Sequence, residues 1–349
     1  MNLSNRKAHF GAFSLLLACG LLALVCSCGN KKGSQTDANN VQTATETAQI
    51  KEKASAFCGD SAFHFVEQQC LFGPRTLGSS AHEKCGEWLM KEFQRLGCTI
   101  EKQTATFTRY DGKNFDGFNI IASTMPDCSN RILICSHWDS RPWADADPDE
   151  RNHKTPIDGA NDGASGIGVM LELARQLQKS PIQIGIDFIC FDAEDMGTPQ
   201  WEEKDEDDEK TWCLGAQYWA ANRTKQGHRF GILLDMVGGN NPQFYQEGFS
   251  KRYAPETVTK VWYAAHTMGY SDYFPLTDGG MITDDHLPLN RVANLPCIDI
   301  IPYYPLAENA FGSTWHTLQD NIQNINRATL EAVGQTLLFT LYSECEHAQ

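Results

Sequence analysis

Apolar and polar positions along this 349-residue chain switch repeatedly between a helical and a strand period. Residues 81–96 carry Cys85, Leu89, Phe93 and Leu96 at helical spacing, and Gly97 supplies a stop. Residues 131–135 form a short, nearly continuous apolar run, the pattern of a buried strand. A helix is predicted over 166–177, with Ile167, Met170, Leu171, Ala174 and Leu177 on one face. Residues 182–191, 230–234 and 297–301 read as further strands. Residues 255–268, closed by Gly269, and 327–342, opened by an Asn326 cap, read as helices. Strands alternating with helices predict an α/β fold: a single domain whose doubly wound, mostly parallel sheet is flanked by helices.

The first residues follow another pattern. Arg6 and Lys7 precede an apolar stretch over 12–25, too short for a comfortable membrane span and of the length of a signal core. It ends in Leu24-Val25-Cys26-Ser27-Cys28, which resembles a bacterial lipobox with Cys28 as the lipidated residue. The alternative is an ordinary cleaved signal with incidental cysteines. The expected organisation is a lipoprotein signal over 1–27, a flexible polar tether over 28–53 and a folded domain over 54–349. The product would be exported and lipid-anchored to a bacterial membrane, facing the periplasm.

The formal charge is −15, which argues against nucleic acid or an anionic membrane surface as partner. Much of the acid lies in the run 202–209, read as a solvated loop. Of thirteen cysteines, ten fall in the folded part, without a C-x-x-C pair. An oxidising location permits disulfides among them, but Cys135, Cys190 and Cys297 sit in apolar strands and read as buried thiols.

Candidate chemistry gathers just past the strand ends, where open α/β sheets bind ligands. Ser136-His137-Trp138-Asp139 follows one strand, Phe191-Asp192-Ala193-Glu194-Asp195 another, and Asp235 a third. Asp162 lies in the small-residue turn 159–166, either as a helix cap or as a metal ligand. His316 lies in Ser313-Thr314-Trp315-His316-Thr317. Imidazole with carboxylates suits zinc. Adjacent Glu194 and Asp195 on extended backbone would point oppositely, one toward metal and the other toward substrate as acid or base. Asp235, Asp284 and Asp299 are expected to share one hydrogen-bonded network, because an acid inside an apolar strand is otherwise costly.

From 62 to 344 the chain resembles the zinc-dependent, animal-type glutaminyl cyclases, which share their fold with the zinc aminopeptidases. The resemblance rests on Ser136-His137-Trp138-Asp139-Ser140 and Trp315-His316-Thr317, with the segments 159–166, 192–197, 233–238, 283–288 and 298–302. It implies one Zn2+ per chain held by Asp162, Asp195 and His316. It also implies Glu194 as general acid/base, Asp235 and Asp284 as assisting acids, and Trp315 with Trp201 as indole walls. Two departures stand out: Asp195 replaces the Glu frequent in animal members, and Asp299 replaces a His. The implied reaction closes the α-amine of an N-terminal glutamine onto its γ-carbonyl and releases ammonia. Peptides and proteins with N-terminal Gln would be the partners, and a monomer is expected. A di-zinc aminopeptidase, using His137 and Asp235 for a second metal, is the alternative.

Overall fold

The structure, a computed structural model, describes residues 33–346 except 205, 225, 226 and 308. The chain divides into Met1–Thr45 and Glu46–Gln349. The expected signal and Cys28 lie outside the described residues. Helix α1 (Gly33–Ala54) occupies most of the span expected to be a flexible tether. Its last nine residues belong to the larger unit and are rich in good helix formers, and Ile50 and Ala54 are buried in the core. The folded unit therefore begins before residue 54.

Six strands form one sheet: β1 (Thr99–Thr108), β2 (Asn114–Ser123), β3 (Arg131–His137), β4 (Gly185–Phe191), β5 (His228–Leu234) and β6 (Cys297–Ile300). Their order is β1-β2-β4-β3-β5-β6. The four strands β4, β3, β5 and β6 run parallel, while β1 and β2 form an antiparallel hairpin at one edge. The chain leaves β3 for one side and, after β4, crosses to the other to form β5. The carboxyl ends of these three strands thus border a topological switch point, where such sheets leave a crevice for a ligand.

Alternation along β3 shows how the sheet is clad. Ile132 and Ile134 face the larger core, with α2 (Gly59–Cys70), α3 (Ser80–Arg95), α4 (Ala164–Lys179), α7 (Pro255–Met268) and α9 (Arg327–Glu346). Leu133 and Cys135 face the smaller one, with α5 (Leu214–Asn222) and α8 (His286–Arg291). The short α6 (Gly248–Tyr253) precedes α7. Each fully buried Ile, Leu or Phe here contributes roughly 1.5–3 kcal/mol of burial free energy.

The β1–β2 hairpin and α2 went unread in the sequence. β1 is an edge strand of Thr, Gln, Glu and Lys with only Phe107 buried, so it lacks an apolar run. In α2 the buried Ala62, Phe65, Val66 and Gln69 do follow helical spacing, but over three turns with two apolar anchors. All ten cysteines from Cys58 to Cys345 are free thiols, with Cys135, Cys190 and Cys297 buried as expected. Among the described residues no helix is long and apolar enough to cross a membrane.

Candidate active site

Three strand ends deliver the acids. After β4 the chain turns at Ala193, whose φ of 55° is uncommon without glycine. Asp139, just past β3, fixes that turn by accepting the backbone N–H groups of Glu194 (3.1 Å) and Asp195 (3.3 Å). Its carboxylate also lies 3.4 Å from His137 Nδ1. Met236, Cys213 and His316 share the left-handed backbone, so four of the seven such non-glycine residues among those described gather in this region. Strain held in one place by surrounding structure is a mark of functional sites.

Asp162 is not the helix cap. The cap position of α4 is Gly163, and no side chain bonds there. Gly163 has φ 91°, and an added Cβ would stand 2.8 Å from the Asp139 carbonyl oxygen and 2.9 Å from the His137 ring. Only glycine lets this turn close onto β3. The buried Asp320 accepts the N–H groups of Asn161 (2.7 Å) and Asp162 (3.1 Å), which aims the Asp162 carboxylate inward.

His316 is held on three sides. Trp315 stacks on its ring at 3.7 Å, and Trp212 lies parallel at 6.3 Å. Its Nδ1 is 3.3 Å from Asp145 Oδ1, and Asp145 is itself bound by Arg141 at 2.6 Å. This leaves Nε2 facing Asp195 Oδ1 at 3.2 Å and Asp162 Oδ2 at 3.6 Å. A carboxylate behind a histidine is the usual support of a metal-binding imidazole. Neither Arg141 nor Asp145 was read from the sequence. The pair sits in Ser140-Arg141-Pro142-Trp143-Ala144-Asp145, a loop with no spacing signal.

The donor set fits zinc. Donor atoms of Asp162, Asp195 and His316 all lie within 4.8 Å of one another. Tetrahedral ligands at zinc–ligand lengths of 2.0–2.1 Å stand about 3.3 Å apart, close to the two distances at Nε2. Asp195 Oδ2 is buried without a hydrogen-bond partner. Burial first, then the charges of Asp195 and Asp235, push Asp162 up to about 6. A dication among these acids would relieve that crowding. A second trio, His137, Asp162 and Asp235, offers comparable geometry, with His137 Nε2 3.0 Å from Asp162 Oδ1 and 3.3 Å from Asp235 Oδ1.

A cavity of about 450 Å³ opens beside these donors, lined by Glu194, Asp235, Asp284, Trp212 and Trp315 among others. Half-buried Glu194 is pushed well above the ordinary carboxylate range by burial and by the charges of Asp195, Asp284 and Asp285. Asp284 is raised likewise by burial, Asp235 and Asp285, and its Oδ2 has no partner. Asp235 and Asp284 therefore reach the cavity as expected. Asp299 does not join them through hydrogen bonds: both of its carboxylate oxygens lack partners, and His286 Nδ1 is 4.0 Å away. Burial and the nearby Asp284, Glu247 and Asp235 raise Asp299 well above the carboxylate range, so the cost of burial is met by protonation.

Trp201 is the expected wall that the fold puts elsewhere. It is more than a third exposed and packs edge-on against Trp143 at 5.9 Å, outside the cavity lining. The indole that lines the cavity together with Trp315 is Trp212, eleven residues on from Trp201. From the acidic run between Trp201 and Trp212, Asp208 and Glu209 join the lining.

A mixed α/β sheet with His and Asp donors at the switch point of its parallel part defines a metallopeptidase-like class. The pattern of Peptidase family M28 matches residues 119–341, and the chain belongs to that family. With it comes zinc as the resident metal. A glutaminyl cyclase from Bacteroides thetaiotaomicron is 48% identical, with a TM-score of 0.80 over 82% of this chain and 98% of that one. A Zn-dependent exopeptidase from Parabacteroides distasonis matches by the same four measures. The glutaminyl-peptide cyclotransferase of Bos taurus is 25% identical over 302 residues, 74% of this chain and 75% of the relative.

Proposed function

We propose that this protein is a glutaminyl-peptide cyclotransferase, converting N-terminal glutamine of peptides and proteins to pyroglutamate with release of ammonia. The observation that carries the reading is Asp284, a buried acid with Oδ2 unpaired that lines the same cavity as Glu194. A substrate whose α-amine and γ-amide both present N–H groups supplies donors to such acceptors, and an unpaired buried acceptor is costly without them. Likeness to glutaminyl cyclases over nearly the whole length of those chains supports the same conclusion.

Asp162, Asp195 and His316 would hold one zinc per chain, which when bound supplies Lewis-acid polarisation of the γ-carbonyl. Glu194 takes a proton from the attacking α-amine and returns it to the departing amide nitrogen. The new bond joins the α-nitrogen to Cδ, the carbon of the side-chain carbonyl, and the old bond from Cδ to the amide nitrogen breaks as ammonia leaves. Asp235 and Asp284 orient the two nitrogens. Trp212 and Trp315 give apolar walls that fix the reactive conformer and keep water from competing. In this reading the raised affinity of Glu194 for protons suits a group that must carry one and pass it on.

The second trio at His137 favours one other reading, an aminopeptidase with two metals. The deciding experiment assays one preparation on a Gln-peptide for ammonia release and on a Leu-arylamide for hydrolysis. Cyclisation without arylamide cleavage is expected, and the reverse would overturn the proposal. We also read Cys28 as the lipidated residue of an exported protein that acts as a monomer. Detergent-phase partitioning lost on Cys28→Ser is the expected result for the anchor.

A further inference from the structure

We propose a second cation site, one that inhibits: Cys213, Glu194 and Asp284 together bind a soft or borderline divalent cation such as Cd2+ or excess Zn2+. One donor atom from each of the three lies within 4.8 Å of the others. Cys213 Sγ donates to Glu194 Oε1 at 3.4 Å, so the thiol already points into the cluster. The second, independent sign is Asp284, which is over nine-tenths buried and keeps Oδ2 without any partner. Cys213 is held there by a left-handed backbone, φ 56°, just ahead of α5.

Access is the further point. Cys213 also lines a second cavity of about 550 Å³ between α5 and α8, whose walls carry Glu206, Asp207 and Glu209 together with Lys210, paired to Asp207, and Arg291, paired to Glu209. This cavity gives the thiol a route to solvent, and a thiolate with two carboxylates selects a soft or borderline metal over Mg2+. On binding, the S–H bond breaks, its proton goes to solvent, and sulfur binds the cation. Occupancy removes Glu194 from proton transfer and Asp284 from the substrate. The inhibitory consequence rests on the proposed role of Glu194, whereas the binding itself does not.

The test titrates Cd2+ into zinc-loaded full-length protein, wild type and Cys213→Ser, reading the cadmium–thiolate charge-transfer absorption and bound metal. Wild type should take up one more Cd2+ with that band than Cys213→Ser does. Inhibition, with each protein scaled to its own activity before Cd2+, should need at least about tenfold more Cd2+ in the variant, the least that altering even an indirect partner of a metal costs. Exchange of the resident zinc gives no thiolate band, so the two events separate. Equal bands in both proteins would overturn the site. The band difference without any inhibition would keep the site and instead refute Glu194 as proton carrier. Should Cys213→Ser misfold, wild type alone decides: Mg2+ inhibiting as strongly as Cd2+ would rule out a thiol-containing site.

Discussion

Asp162 divides its carboxylate between two imidazoles, with Oδ2 3.6 Å from His316 Nε2 and Oδ1 3.0 Å from His137 Nε2. One residue therefore belongs to both possible metal trios, and their competition decides the enzyme's class. His316 lines the cavity, with Asp145 Oδ1 3.3 Å behind its Nδ1. His137 does not line the cavity and is enclosed by Asp139, Asp162 and Asp235.

Metal analysis should consequently return close to one zinc per chain. His316→Ala should lose both metal and activity, because a three-donor site has none to spare. His137→Ala should keep its zinc. Two tightly held zincs, falling to one in His137→Ala, would assign the protein to the di-zinc peptidases.

Glu194→Gln keeps the size of the side chain and leaves all three zinc donors in place, so metal content and melting temperature should hold. It removes the group that moves the proton between nitrogens. General acid–base help is worth about 10²–10⁴-fold, so kcat on a Gln-peptide should fall by that order while KM changes little. Near-normal kcat in a zinc-loaded variant would mean that another group carries the proton.

The two indoles give a sharper contrast. Trp212 lines the cavity parallel to His316 and carries the Arg141 guanidinium 4.7 Å over its ring. Trp212→Ala should lower kcat/KM on a Gln-peptide by about tenfold, or ~1.4 kcal/mol of transition-state binding, and Trp201→Ala should leave it within about twofold. The opposite ranking in steady-state kinetics would restore Trp201 as the wall.

That contrast also marks how far the sequence could be read. Strand-end donors were legible because β3, β4 and β5 are largely buried apolar runs that give way to His137, Glu194 and Asp235 at or just past their ends. His316 was legible through its Trp neighbour. The trio of Asp162, Asp195 and His316 spans three separate segments, and the family resemblance grouped them before the fold did. Arg141 and Asp145 escaped notice because support for a ligand leaves no periodic trace. Trp212 went unread because the acidic run between it and Trp201 has no periodicity that would fix an alignment. The hydrogen-bonded network expected at Asp299 failed for a different reason: a proton can neutralise a buried acid as well as a partner can.

Glu247 shows a structural acid acting on the site from behind. It is buried and accepts the backbone N–H groups of Phe249 (2.8 Å), Ser250 (2.6 Å) and Ile282 (3.0 Å), as well as the Ser250 hydroxyl (2.7 Å), with His286 Nε2 at 3.2 Å. The bond to Ile282 ties down the segment that carries Asp284. Burial alone would raise its pKa, yet these donors and His286 bring it down from 4.5 to about 2. A depressed carboxylate stabilises the fold above its unfolded pKa and loses that contribution as pH falls toward its folded one. Glu247 should thus contribute about 3 kcal/mol at neutral pH, all of it present above pH 4.5 and lost on descent toward pH 2. Glu247→Gln should lower the melting temperature at pH 7 and converge with wild type as the pH approaches 2. Equal melting temperatures for the two proteins at pH 7 would show that the donors around Glu247 do not depend on its charge.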